Sequence, residues 1–180
     1  MVCVKYGTKY GADYVNKLYW GIKKHLTIPH TFSCFTDDAT GLDSNILVKP
    51  LKNKWQGWWS KVHIFDPFVY PTEGASDWIF YIDLDMIVTG SLDDLVGLIG
   101  TKITSFATLS TDEIFCENVD NGYNSSIMIF QKDKLAHLYT FMGYYDYIVK
   151  YLMRFDHYLE MLVWNAQTVQ TVAPGQLIDY

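Results

Sequence analysis

Residues 78–90 form the segment that most constrains the fold of this chain. They read Trp-Ile-Phe-Tyr-Ile-Asp-Leu-Asp-Met-Ile-Val-Thr-Gly, an apolar run with two carboxylates one residue apart. The run predicts a buried strand over residues 78–83. Because side chains alternate along a strand, Asp83 and Asp85 are expected on one face, where both can bind one hard cation. The structural alternative is that the two acids cap the following helix.

The acidic pair and the overall charge together indicate a class of substrate. A divalent cation held by two carboxylates keeps positions for phosphate oxygens, which favours a substrate with a diphosphate, such as a nucleotide sugar. The net charge is −6, and Arg154 is the only arginine. A nucleic-acid surface needs clustered Lys and Arg, so we expect no nucleic-acid partner. One diphosphate can still bind through a metal and one or two lysines.

The first fifty residues alternate between strand and helix patterns. Residues 2–6 are short and β-branched, which predicts a first strand. Apolar residues at helical spacing predict a helix that begins at an Asp13 N-cap and ends before Pro29. Two further strands are predicted at residues 30–35 and 46–48. This spacing is typical of a parallel α/β sheet.

The remainder of the chain continues the α/β pattern without a repeat or a linker. We therefore predict one domain over residues 1–180, with a Rossmann-like, mostly parallel central sheet flanked by helices. The later predicted elements are a short helix at 58–65, the strand at 78–83, a helix capped by Ser91 and ended by Gly100, strands at 103–109 and 126–130, helical segments at 133–153 that Gly143 interrupts and at 156–164, and terminal strands at 168–173 and 176–180.

Other sequence features concern the location of the protein and its cysteines. Charges interrupt the apolar stretches well before the ~20 residues that a membrane helix needs, so we expect no membrane span. The first residues lack the pattern of a secretory signal, which predicts a cytoplasmic protein. Cys3, Cys34 and Cys116 are odd in number and widely spaced. We expect them to be reduced and to form no disulfide framework.

Two segments, Tyr-Ile-Asp-Leu-Asp at 81–85 and Tyr-Asn-Ser-Ser-Ile-Met-Ile-Phe at 123–130, carry a family resemblance. Together they resemble the GT-A glycosyltransferases, in particular the glycogenin-like family 8, and the order of elements is similar over nearly the whole chain. In that family, Asp-X-Asp holds manganese against the donor diphosphate. The resemblance implies that Asp83 and Asp85 bind Mn²⁺ or Mg²⁺, that Leu84 belongs to the donor-binding motif, and that the donor is a nucleotide diphosphate sugar, expected to be UDP-hexose.

The loop after the first predicted strand resembles the nucleotide pocket of the family. The resemblance places Tyr6, Gly7, Thr8 and Tyr10 at the nucleotide, with Tyr10 as the ring that stacks on the base. A glycine loop lets backbone amides approach a ligand, while an aromatic face supplies apolar area. Lys61 matches a family lysine that contacts the donor phosphates. Ordinary packing of the two tyrosines and a solvent-facing lysine are the alternatives.

Two later segments are similar to family segments that surround the transferred sugar. Asn124 matches an asparagine that reaches the sugar or the acceptor; an amide both donates to and accepts from a hydroxyl. Asp156 and His157 match an Asp-Gln pair beside the reacting carbon, where a carboxylate can stabilise an oxocarbenium-like transition state. His157 replaces glutamine, so retention and inversion both stay open. Asp120 is a further candidate base. A turn asparagine and a helix N-cap are the structural alternatives.

The resemblance lacks one part. The family completes its metal site with a histidine in a C-terminal His-X-X-Gly-X-X-Lys-Pro segment, which this sequence does not contain. Either the chain is truncated before that segment, or water and donor oxygens complete the ligand set. A cluster of tryptophans, Trp55, Trp58 and Trp59, is open to two interpretations. It forms either a shelf for sugar stacking or part of the core, and core packing is favoured.

The leading hypothesis is a metal-dependent glycosyltransferase that moves a hexose from a nucleotide diphosphate sugar to a hydroxyl of a carbohydrate acceptor. One alternative is a module that binds a nucleotide sugar or a carbohydrate without turnover. Another is a phosphatase of the haloacid dehalogenase type, in which Asp83 would be the nucleophile. That motif normally opens the chain, whereas here it lies at residue 83.

Overall fold

A central sheet of seven strands organises the computed structural model, which describes residues 1–52, 55–70, 77–113 and 121–176. The strand order is β3-β2-β1-β4-β6-β5-β7. The strands are β1 (Val2–Lys5), β2 (Ser33–Thr36), β3 (Leu47–Pro50), β4 (Trp78–Ile82), β5 (Ala107–Ser110), β6 (Tyr123–Gln131) and β7 (Gln167–Thr168). The helices are α1 (Ala12–His25), α2 (Asp93–Gly97), α3 (Ala136–Phe141), α4 (Tyr145–Tyr151), α5 (Phe155–Leu162) and α6 (Val169–Val172). Four 3-10 helices cover Gly57–Phe65, Pro67–Val69, Thr111–Glu113 and Met142–Tyr144.

The sheet is mostly parallel, as predicted. Strand β1 pairs in parallel with β2 and β4, and β2 pairs in parallel with β3. Strand β6 runs antiparallel to both of its neighbours, β4 and β5. The parallel strands β1, β2 and β4 therefore end at the same edge of the sheet, and the loops that follow them lie together there.

Two apolar layers cover the faces of the sheet, because side chains alternate along each strand. In β4, Phe80 and Ile82 enter one core, which includes apolar residues of α1, α2 and α6. Ile79 and Tyr81 enter the other core, together with apolar residues of the Gly57–Phe65 helix, α3 and α5. The apolar run of β4 thus has no polar face because an apolar layer covers the sheet on each side.

The cysteines of the first two strands are buried in this core. Cys3 and Cys34 are opposite one another in the parallel register of β1 and β2, and both are fully buried free thiols. Cys116 lies outside the described residues. Among the residues that the structure describes, no helix is long and apolar enough to cross a membrane.

Several predicted boundaries are wrong, and each has a local reason. Helix α1 has Gly11 as its N-cap, while Asp13 lies in the first turn and pairs with Lys17. Ser91 is not the N-cap of α2, because Leu92 occupies that position. The Ser91 hydroxyl accepts from the amide of Asp93, the first residue of the helix. The strand predicted at 168–173 is only the short β7 followed by α6.

Other boundaries agree more closely with the sequence. The 58–65 segment is helical, but in the 3-10 form. The predicted interruption at Gly143 is confirmed, since Met142–Tyr144 separates α3 from α4. The strand predicted at 103–109 is shorter, beginning at Ala107. Of the last predicted strand, residues 177–180 lie outside the described part of the chain, as does Asp120.

Candidate functional site

The loops that follow β1 and β2 meet at the carboxyl edge of the sheet. The backbone amide of Gly7 donates to the carboxylate of Asp37, with distances of 3.0 and 3.2 Å to the two oxygens. Gly7 has φ +65°, a conformation that favours glycine. A Cβ atom built at Gly7 would contact nothing within 4 Å, so the space above this turn is open. A ligand can therefore approach the backbone at this point.

The segment after β4 leaves the sheet in a turn. Strand β4 ends at Ile82, and the amide of Met86 donates to the carbonyl of Asp83 at 3.3 Å. Strand alternation therefore does not set the directions of the two acids, contrary to the prediction from the sequence. Asp83 is half-buried, Leu84 is buried in the core, and Asp85 is exposed. The buried leucine anchors the turn that carries both carboxylates.

The side chain of Asp83 has two polar partners, Lys61 and Tyr81. Lys61 Nζ lies 2.8 Å from Asp83 Oδ2 and 3.2 Å from Ser125 Oγ. The hydroxyl of Tyr81 donates to the other oxygen of Asp83. Burial, followed by the negative charge of Asp83, raises the pKa of Tyr81 well above its usual value, so this hydroxyl stays protonated. The alternative of a solvent-facing Lys61 is therefore wrong.

Asp85 contacts the loop after β1, for which the family resemblance predicts a role in nucleotide binding. Tyr10 donates its hydroxyl to Asp85 Oδ2 at 2.7 Å. The Tyr10 ring lies 4.9 Å from the ring of Tyr14, and Lys9 Nζ lies 4.7 Å from its centroid. Tyr10 thus connects the loop after β1 to the second carboxylate, a contact that the sequence did not indicate.

A cavity of about 360 Å³ lies beside Asp83. It brings together residues that are up to about one hundred positions apart in the chain. Its lining comprises Trp58, Lys61, Asp83, Asn124, Ser125, Ser126, Arg154, Phe155 and Asp156. Four residues that were selected from the sequence, Lys61, Asp83, Asn124 and Asp156, therefore share one space. This is the size and mixed lining that ligand sites commonly have.

An irregularity in β6 directs part of this lining into the cavity. The register between β5 and β6 shifts between Thr108, which pairs with Met128, and Leu109, which pairs with Asn124. Thr108 Oγ1 lies 2.8 Å from the carbonyl oxygen of Asn124 and 2.9 Å from that of Ile127, which fixes the extra residues. Bulges of this kind re-aim side chains next to functional sites. The Asn124 carboxamide oxygen also accepts from the amide of Ser126 at 3.0 Å, so a local turn role and a cavity-lining position coexist.

Asp156 connects α5 to β6. Its Oδ1 accepts from the amide of Ser125 at 2.9 Å, and its Oδ2 pairs with Arg154 at 3.0 Å. The N-cap of α5 is Arg154, whose side chain does not cap the helix, so the N-cap alternative for Asp156 is wrong. The carboxylate lies in the first helical turn, where the helix dipole favours negative charge. Both oxygens are engaged, which suits charge stabilisation better than proton abstraction.

The remaining predicted residues divide between the cavity lining and positions outside it. His157 is half-buried next to Asp156 and is not among the described residues that line the cavity. Tyr6 is half-buried and Thr8 is exposed on the loop of Gly7. The tryptophans divide between the two interpretations, because Trp59 is buried in the core whereas Trp58 is exposed and lines the cavity.

Sequence reasoning missed three contributors to this site. Asp37 holds the Gly7 turn, Ser125 binds both Lys61 and Asp156, and Arg154 pairs with Asp156 inside the cavity. One signal was present for Arg154, since it is the only arginine of the chain and stands two residues before Asp156. No sequence pattern identified Asp37 or Ser125.

The acidic turn fits a hard divalent cation by its donor chemistry. Among the described residues, no group of three or more His, Cys, Asp or Glu side chains is arranged to hold a metal. The available donors are the carboxylates of Asp83 and Asp85. Oxygen ligands suit Mg²⁺ and Mn²⁺, and Mg²⁺ is commonly held by one or two carboxylates plus substrate phosphates. The residues present therefore fit such an ion when a phosphate ligand completes the set.

No family model and no curated protein matches the sequence of this chain. Solved structures do share its fold. The glycosyltransferase GlyE of Streptococcus pneumoniae TIGR4 aligns with a TM-score of 0.64 at 16% identity, over 93% of this chain and 44% of GlyE. The galactosyltransferase LgtC, in complex with donor and acceptor sugar analogs, aligns with a TM-score of 0.53 at 13% identity, over 84% of this chain and 65% of LgtC.

An active-site mutant of LgtC gives a similar result, with a TM-score of 0.55 at 12% identity over 88% of this chain and 68% of LgtC. The chain thus spans less than half the length of GlyE and about two thirds of LgtC. The likeness concerns the arrangement of strands and helices. This chain has the α/β fold of these glycosyltransferases, as its sequence predicted.

Proposed function

We propose that this chain is a glycosyltransferase domain that moves a hexose from a nucleotide diphosphate sugar, with UDP-hexose as the expected donor, to a carbohydrate hydroxyl. One observation carries the proposal. A single cavity at the carboxyl side of the sheet collects Lys61, Asp83, Asn124 and Asp156, in a fold that glycosyltransferases share. Ligands of open α/β sheets bind at this edge.

The two parts of the site suit the two ends of the donor. The open turn at Gly7 and the ring of Tyr10 supply the backbone approach and apolar face for a nucleoside. The diphosphate belongs near Asp83 and Asp85, which would hold Mn²⁺ or Mg²⁺. Such an ion, when bound, neutralises negative charge on the leaving diphosphate. Because LgtC was solved with donor and acceptor sugar analogs, the same two classes of ligand are expected here.

Transfer breaks the bond between the anomeric carbon and the diphosphate oxygen, a bond from the acceptor oxygen to that carbon replaces it, and the proton of the acceptor hydroxyl passes to the leaving diphosphate. Lys61 brings a positive charge to the phosphate side of the cavity. Asp156 supplies a carboxylate that Ser125 and Arg154 hold in place, and this charge stabilises an oxocarbenium-like carbon. Asn124 offers donor and acceptor groups to sugar hydroxyls.

The alternatives make different predictions. A phosphatase would release inorganic phosphate from a phosphate ester through attack by Asp83. A binding module would bind the donor and release nothing. An assay of nucleotide release from UDP-glucose, UDP-galactose, UDP-N-acetylglucosamine and GDP-mannose, with Mn²⁺ and with or without saccharide acceptors, distinguishes these cases. The proposal expects release from one donor and its loss in Asp83→Asn. Donor binding without release would identify a binding module, and the absence of both would contradict the proposal.

A further inference from the structure

A second cavity, of about 410 Å³, lies outside the site described above. It is lined by Trp55 and by residues 142–147, which include the Met142–Tyr144 helix and the start of α4. The buried ring of Trp59 packs against one lining residue of each cavity. The ring of Trp59 lies 6.4 Å from the ring of Tyr145 in the second cavity and 6.1 Å from the ring of Phe155 in the first. We refer to the second cavity as the aromatic cleft.

Ring faces and one carboxylate dominate the aromatic cleft. Trp55 is held on its inner side by the rings of His63, at 4.7 Å, and Tyr139, at 5.5 Å. Tyr144 and Tyr147 are 61% and 65% exposed. The carboxylate of Asp146 lies between these two tyrosines in the sequence and also lines the cleft. Rings beside a hydrogen-bond acceptor match the two surfaces of a sugar, its C–H face and its hydroxyls.

The exposed rings continue along the chain from the aromatic cleft to the first lining residue of the α5 side of the first cavity. Tyr144, Tyr147 and Tyr151 follow one another at intervals of three and four residues, the spacing of one helix face. Tyr151 is 82% exposed, and Met153 follows it at 76%. The next residue, Arg154, lines the first cavity. Neighbouring exposed apolar side chains of this kind are typical of an interaction site.

We propose that the aromatic cleft binds sugar units of an oligosaccharide acceptor that lie beyond the unit receiving the hexose. This inference rests on the proposed function. The short distance between the two linings, with Trp59 packed between Tyr145 and Phe155, and the row of exposed tyrosines select an extended saccharide as the occupant. A chain of sugar rings stacked on Tyr147 and Tyr151 runs toward Arg154, where its terminal hydroxyl meets the transferred hexose. The cleft is concave and small, as saccharide sites are, rather than a broad apolar face.

Saccharide binding tests the proposal without relying on turnover. The probes are maltohexaose, cellohexaose and chitohexaose, with glucose and N-acetylglucosamine as short controls, and the readout is saturation-transfer difference NMR followed by calorimetric titration. The variants are Tyr147→Ala and Tyr144→Ala, with Tyr147→Phe to keep the stacking face. Phe68→Ala removes an even more exposed ring outside the cleft, since Phe68 lies in the Pro67–Val69 helix.

We expect one hexasaccharide to bind more tightly than its monosaccharide. Tyr147→Ala and Tyr144→Ala should each weaken its binding about three- to tenfold, while Tyr147→Phe and Phe68→Ala leave it unchanged. Donor hydrolysis without acceptor should be the same in all four variants. If the wild type itself does not hydrolyse any donor, that result counts against the proposed function and not against the cleft. Binding of none of the hexasaccharides, or equal affinity in wild type and Tyr147→Ala, would overturn the cleft. So would chain dimerisation that Tyr147→Ala abolishes.

Discussion

Lys61 Nζ lies 2.8 Å from Asp83 Oδ2 at the side of the first cavity, and only 13% and 19% of these two side chains are exposed. The lysine comes from the Gly57–Phe65 helix, and the aspartate follows β4. Because the same amine reaches Ser125 Oγ, the pair also connects to β6. This ion pair therefore joins three elements at the place where the proposed diphosphate binds.

The stability of the ligand-free protein depends on this pair. Lys61→Ala leaves Asp83 half-buried without its cation, so the free energy of unfolding should fall by about 1–3 kcal/mol in chelator-treated buffer. Lys17→Ala is the matched control, because its pair with Asp13 is exposed on α1 and should contribute little to stability. Urea denaturation followed by circular dichroism measures both. Equal effects of the two substitutions would show that the Lys61 pair has no structural role.

Two substitutions of Tyr10 separate its two contacts. Tyr10→Phe removes only the hydrogen bond to Asp85, whereas Tyr10→Ala also removes the ring. If the ring stacks on the base, UDP affinity should stay within about threefold in Tyr10→Phe and fall about tenfold in Tyr10→Ala. Titration calorimetry with UDP and Mn²⁺ measures this. An equal loss in both variants would mean that the hydroxyl, and not the ring, is what the nucleotide needs.

The carboxylate of Asp156 should act in the transition state. Asp156→Asn keeps an oxygen for the amide of Ser125 but removes the negative charge, so kcat should fall about a hundredfold with a smaller change in KM. Glu160→Gln is the control on the same helix, since Glu160 accepts from the amide of Tyr123 and is outside the first cavity. Steady-state kinetics provide the test. A rise in KM with unchanged kcat would assign Asp156 to ground-state binding.

His63 should make stability depend on pH. Burial lowers the pKa of His63 from its usual value near 6.5, because the ring is packed against Trp55 and its protonated form would lose contact with water there. As pH falls through 6.5, the unfolded chain takes up the proton first, so stability decreases until the lower folded-state pKa is passed. Urea unfolding from about pH 7.5 to about pH 5 should show this slope.

His63→Phe should flatten the slope, and His30→Gln should not, because His30 is exposed. The two variants are compared with the wild type over the same pH range. A slope that survives unchanged in His63→Phe would assign the acid sensitivity to other groups.

The sequence predicted those parts of the fold that depend on local pattern. The buried run before Asp83 and the period of α1 require a strand and a helix regardless of distant contacts, and both are present. The antiparallel direction of β6 was not predictable, because strand direction follows from loops and pairing rather than from the residues of the strand. Helix α6 was mistaken for a strand, since four β-branched and polar residues carry no period long enough to decide.

The same distinction applies to the site. Asp83, Lys61, Asn124 and Asp156 were selected from short motifs, and the fold brings them to one cavity. The turn after Ile82, a backbone hydrogen bond between Met86 and Asp83, was hidden by the strand-like pattern of residues 78–90, and the register shift opposite Thr108 was not visible because it is held by hydrogen bonds to residues far away in the chain. For that reason the partners of the acids, such as Tyr10 for Asp85, emerged only from the structure.

Calorimetric titration of UDP in the presence and absence of Mn²⁺ tests the central claim most directly. The wild type should bind UDP at least about tenfold more tightly with Mn²⁺, and Asp85→Asn should abolish this gain while its circular dichroism spectrum stays that of the wild type. Asp77→Asn, at the opposite end of β4 and paired with Lys132, should keep the gain. Wild-type manganese dependence in Asp85→Asn would contradict the account.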